Sequence, residues 1–201
     1  MELTEQQKHD HERLFKEAAA LIEKEIPLHE RRDLPKPGWL LRRKLKRAIA
    51  LFQRVLEINP GNWSAMWLIG KVYQRFNDYA VALTWFDRAY QINASQPDVA
   101  REASMCAMDI GQNEAAIAYA FRGTQIEPGS AGLHANLALA YLLAGRLDEA
   151  RASVERSLTI DPGDRISQTV KLTIVHFAGN GRTPPSTAPA LIAYWQKNRK
   201  G

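Results

Sequence analysis

Ala48, Ala82, Ala116 and Ala150 stand 34 residues apart, and Ile58, Ile92, Ile126 and Ile160 keep the same interval. Pro60, Pro128 and Pro162 hold that register, with Ala94 at the place of the missing proline, and Asn77, Gly111, Gly145 and Gly179 form a third series. A period of this kind means one supersecondary unit copied along the chain, which buries its apolar face only by stacking on its neighbours. Each series has a mechanical reason to recur. A small alanine lets two helices approach closely, and an isoleucine closes the apolar stripe of a helix. Gly or Asn suits the left-handed conformation that ends a helix, and a proline just beyond a helix end cannot continue it.

Within this frame the units resemble tetratricopeptide repeats, whose pattern runs W-x2-L-G-x2-Y, then A-x3-F, then P. Residues 63–96 match through Ile69-Gly70, Tyr73, Ala82, Phe86 and Ala94. Residues 97–130 keep Ala116 and Pro128 while substituting Ala103-Ser104 and Ala107, and residues 131–164 supply Leu137-Ala138, Tyr141, Ala150, Val154 and Pro162. The expectation is an all-α solenoid of helix-turn-helix repeats, a single domain over 1–201 with about ten or eleven helices and no sheet.

Both ends depart from the pattern. Residues 1–62 form a degenerate repeat: 39–58 supply its second helix, with Ala48 and Phe52, and the Pro-rich stretch from Arg31 to Gly38 cannot be helical. A helix from about Thr4 to Ile26, with Leu14, Ala18, Leu21 and Ile22 on one face, is expected to replace the missing first helix, leaving 27–38 as an inserted loop. At the other end, in 165–201, residues 165–178 read as a first helix ending near Gly179. After a loop, a helix from about Ala188 to Lys197 is expected to cap the stack.

The resemblance implies a right-handed superhelix whose inner groove, lined by the first helix of each pair, holds a partner's peptide or helix. The groove positions it implies are Trp67, Lys71, Gln74 and Arg75; Arg101, Met105, Met108 and Asp109; Asn136, Leu139 and Leu142; and Thr169, Thr173 and His176. For Met105 and Leu142 packing within the stack is an equal alternative, since a shift of one residue turns them inward. Members that grip the carboxylate tails of chaperones place Lys, Asn and Arg at set points on successive first helices. Here those points hold Trp67 and Lys71, then Glu102, then Gly132 and Asn136; one repeat later they hold Arg101 and Met105, Asn136, and Ile166 and Val170. Neither register makes a two-carboxylate clamp.

The net charge of +5 is unevenly spread: residues 27–47 hold eight Lys/Arg against two acids. The segment with Arg31, Arg32, Arg42, Arg43, Lys44, Lys46 and Arg47 is therefore the feature of charge to explain. It reads either as a solvated face neutralised by Glu12, Glu17, Glu23 and Glu25 of the first helix, the favoured reading, or as an electrostatic tether to an acidic partner, an anionic membrane surface or nucleic acid. No recognised nucleic-acid motif accompanies it. His9 and His11 lie about 200° apart on a helix and cannot share a metal ion well; His29, His134 and His176 are isolated. Cys106, the only cysteine, reads as a small core filler and excludes an intramolecular disulfide. No phosphate loop, nucleophile elbow or dinucleotide fingerprint is present, and no cofactor is expected. With a polar N-terminus and no apolar run near the ~18 residues of a membrane span, a cytoplasmic location is the expectation. The sequence thus points to a non-enzymatic adaptor that binds a protein partner in its groove. Tethering through 31–47 and self-association through exposed ends are the alternatives.

Overall fold

The computed structural model describes residues 3–26 and 34–198, and the helices fall into two units, 1–94 and 95–201. The first unit holds α1 (Glu5–Ile22), α2 (Trp39–Ile58), α3 (Trp63–Arg75) and α4 (Tyr79–Ile92). The second holds α5 (Pro97–Asp109), α6 (Asn113–Ile126), α7 (Ala131–Leu143), α8 (Leu147–Ile160), α9 (Arg165–Asn180) and α10 (Ala188–Asn198). These ten helices, with no strand among the described residues, are the all-α fold that the 34-residue register predicts.

Local chemistry sets the helix starts. Thr4 and Gln7 cap α1 reciprocally: the Gln7 backbone N–H donates to Thr4 Oγ1, and the Thr4 N–H donates to Gln7 Oε1. Asn62, Asp78 and Asp164 accept from backbone N–H groups of Ala65, Val81 and Ser167 at the starts of α3, α4 and α9. Pro97 opens α5, where its missing N–H is not needed.

In the first unit α1 packs on α2, α2 on α3 and α3 on α4, so α1 does take the place of the first helix of a pair. Leu14, Ala18 and Ile22 of α1 are buried with Leu45, Ala48, Phe52 and Val55 of α2 and Ala65, Ile69 and Val72 of α3. Phe15 meets the Phe52 ring edge-on at 5.5 Å between centroids. In the second unit α5 pairs with α6 and α7 with α8, while α9 packs on α7 and α8. Ala48, Ala82, Ala116 and Ala150 have no exposed surface, as close crossings require. At the facing position of α5, Ser104 donates its hydroxyl to the Ala116 carbonyl at 2.9 Å and so ties the pair together. Cys106 is buried in the core of α5.

Two expectations at the C-terminal end require correction. Asn77, Gly111 and Gly145 end their helices with positive φ, but the fourth such residue is Gly181, not Gly179, because α9 runs on to Asn180. No second helix turns back at once beyond α9, so nothing forces the break two residues earlier. The last helix does not cover the outer face of α9: Leu172 and Val175 remain 71% and 56% exposed. Leu172 occupies the register position of Gly70, Ser104 and Ala138, where a close crossing demands a small residue. A leucine there already excludes such a crossing.

Candidate functional site

In the second unit, α10 lies against the face that bears the predicted groove positions. The loop before it passes the end of α5, where a Cβ placed on Gly111 would be 3.2 Å from Thr187 Cγ2. Thr187 then caps α10, its Oγ1 accepting from the Ala190 N–H, and α10 touches α5. Leu191 is buried. His176 Nε2 and the Tyr194 hydroxyl are 2.8 Å apart, and the Arg182 guanidinium donates to the same oxygen at 3.5 Å. The His176 ring packs on Trp195 at 4.8 Å, and Phe177 packs on Tyr194 at 5.1 Å.

This packing does not fill the face. A cleft of about 390 Å³ stays open among α7, α9 and α10, lined by Leu139 and Leu142, by Ile166 and Val170, and by Leu191 and Trp195, with Thr169, Thr173 and Arg165 also on its wall. Its surface is apolar apart from the two hydroxyls and the guanidinium. Such a surface takes up aliphatic or aromatic side chains.

The predicted groove residues are placed as follows. Leu139 and Leu142 line the cleft, Leu142 with no exposed surface. Thr173 also lines it and donates its hydroxyl to the Thr169 carbonyl within α9. Asn136 is half-buried, and its Nδ2 is shielded from solvent without a hydrogen-bond partner among the described residues. Met108 is buried and Met105 half-buried. The Arg101 guanidinium is held at 2.9 Å from Asp98 and 3.4 Å from the buried Glu102, so its charge is committed within α5. In the first unit Lys71 is buried, and Trp67, Gln74 and Arg75 are half-buried. Trp67 Nε1 and Arg75 Nε are shielded donors without an acceptor among the described residues.

Arg31 and Arg32 lie outside the described residues. The rest of the basic segment divides in two. Lys44 pairs with Glu25 at 2.8 Å and Arg47 with Glu17 at 2.6 Å, as the neutralised reading expects, and Arg42 stacks over the Phe76 ring. Glu12 instead pairs with Lys16. Arg43 and Lys46 are exposed and have no ion-pair partner among the described residues. Among those residues no three His, Cys, Asp or Glu side chains converge as a metal site. The sequence reading missed the part played by Leu191, Tyr194 and Trp195. Their i, i+3, i+4 spacing on α10 was the available signal.

Tetratricopeptide repeat profiles match residues 42–97 and 107–171. Among curated proteins none matches the sequence. Solved structures resemble the fold: MamA is 20% identical with a TM-score of 0.63, covering 69% of this chain and 81% of that one. YrrB, a repeat protein with an unusual peptide-binding site, is 19% identical with a TM-score of 0.58, covering 67% of this chain and 69% of its own. The pilF protein of Pseudomonas aeruginosa is 14% identical with a TM-score of 0.62, covering 88% and 72%. At these identities the likeness is one of fold.

Proposed function

The chain belongs to the tetratricopeptide repeat family, and on that basis we propose that it is a non-enzymatic interaction scaffold whose second unit holds an amphipathic helix of a partner protein beside α10, on the part of the face formed by α5, α7 and α9 that α10 leaves open. The observation behind this reading is α10 itself. A helix with Leu191, Tyr194 and Trp195 on one side already lies on that face, so its shape and polarity suit such a helix. The neighbouring cleft of about 390 Å³ leaves room for further apolar side chains. Helix-in-groove recognition uses anchors at i, i+3 or i+4 and i+7, the spacing that α10 begins to display. Half-buried Met105 offers adaptable contact, and Asn136 Nδ2 is a shielded donor for which a partner's carbonyl would supply the acceptor. The peptide-binding site of YrrB supports the reading by analogy of fold.

Affinity capture from the native cell tests it. A partner recovered with the wild-type chain should be lost with Asn136→Ala combined with Leu139→Asp, and retained with Phe121→Ser, a change at an exposed position of α6. Retention by the inner-face variant would remove the reading.

A further inference from the structure

α2 has two faces of opposite character. Leu45, Ala48, Phe52 and Val55 are buried in the first unit. On the other side Trp39, Arg43, Lys46 and Arg54 follow one another at spacings of four, three and eight residues, which aligns them along one strip, and all four are exposed. Trp39 is 70% and the adjacent Leu40 64% exposed, an indole and an isobutyl group left in water beside three cations. Leu34 and Lys36, just upstream, are exposed as well.

The stability of the fold does not account for this arrangement. The intramolecular work of the segment is done by Lys44, Arg47 and Arg42 against Glu25, Glu17 and Phe76. Arg43, Lys46 and Arg54 have no ion pair among the described residues, and Arg43 sits near a helix start, where the dipole disfavours a cation. A nucleic acid would engage the cations and stack a base on Trp39, but it offers no apolar phase for the aliphatic Leu34 and Leu40, both exposed. An anionic bilayer engages both sets. Cations gain from the negative surface potential, an indole settles at headgroup depth, and a leucine reaches the acyl boundary. No described helix is long and apolar enough to cross a membrane, so contact through this strip is peripheral.

We infer that the exposed strip of α2 from Trp39 to Arg54 is a docking surface for an anionic lipid bilayer. It lies on the first unit, and so stands or falls independently of partner binding on the second.

The test is cosedimentation of the full chain with vesicles of equal parts phosphatidylcholine and phosphatidylglycerol, against vesicles of phosphatidylcholine alone. The chain should bind the first and not the second. Arg43→Ser, Lys46→Ser and Arg54→Ser together should weaken binding roughly a hundredfold. Trp39→Ser with Leu40→Ser, which leaves the charge unchanged, should weaken it about tenfold or more. Both variants should keep wild-type helicity and unfolding midpoint, since every altered side chain is exposed. Failure to sediment with the anionic vesicles overturns the inference. So does binding that the Trp39/Leu40 variant leaves intact, and equal affinity for a single-stranded RNA oligomer with the same insensitivity would identify a charge-only surface.

Discussion

The Phe86 ring occupies the space that a side chain on Gly70 would need: a Cβ there would lie 2.6 Å from Cε1 of the ring. The α3–α4 pair is closed by this contact, with Ala82 fully buried on the same helix as Phe86. Gly70→Ala sets two effects against each other. Alanine is the better helix former by about 1 kcal/mol, but the ring, itself without exposed surface, cannot move aside freely. The overpacking wins, and the net loss should be about 1–2 kcal/mol, read as a lower urea midpoint with an unchanged slope.

Close crossings and the open face of α9 should respond in opposite ways to substitution. Ala116→Leu forces a large side chain into a crossing with no exposed surface and should destabilise by roughly 1–3 kcal/mol. Leu172→Ala removes a side chain that is 71% exposed at the register position of Ser104, which faces Ala116 in its own repeat, and should change stability by less than about 0.5 kcal/mol. Chemical denaturation of the two variants side by side checks the contrast.

Asp164 links the start of α9 to pH. Burial pushes its carboxyl up, but the Ser167 hydroxyl and the backbone N–H groups of Ser167 and Ile166 donate to it and hold it below the usual carboxylate range. A carboxyl depressed in the folded state contributes stability above its unfolded pKa of about 3.9 and loses it as pH falls through the folded value. Asp164→Ala should therefore cost about 1 kcal/mol at neutral pH. That difference should shrink as the pH falls below about 4, measured by urea denaturation across the acid range.

Much of the fold was legible because its signals are local or periodic. Ala82, Ala116 and Ala150 mark crossings, Gly111 and Gly145 mark turns with positive φ, and the helices between them follow. The last turn misled because Gly179 keeps the register while Gly181 does the work; once the repeat lacks a second helix, the period no longer constrains where the first one ends. The position of α10 was illegible for a related reason. Its apolar residues show that it packs, but no 34-residue relation says against what, and an outer cap and an inner strut satisfy the same pattern. The basic segment looked uniform in sequence, and only the long-range partners Glu17 and Glu25 separate its paired cations from Arg43 and Lys46.

The face formed by α5, α7 and α9 can be measured as a helix-binding surface with the chain's own helix as ligand. Full-length protein carrying Leu191→Asp and Trp195→Asp would release α10, and a fluorescent peptide of residues 186–198 with the natural sequence would be titrated against it and followed by anisotropy. The peptide is expected to bind the variant saturably, to bind the wild-type chain far more weakly because α10 already fills its own seat on the face, and to lose binding when Leu139→Asp is added to the variant. Equal, unsaturable signals for all three proteins would contradict a helix-binding face on the second unit.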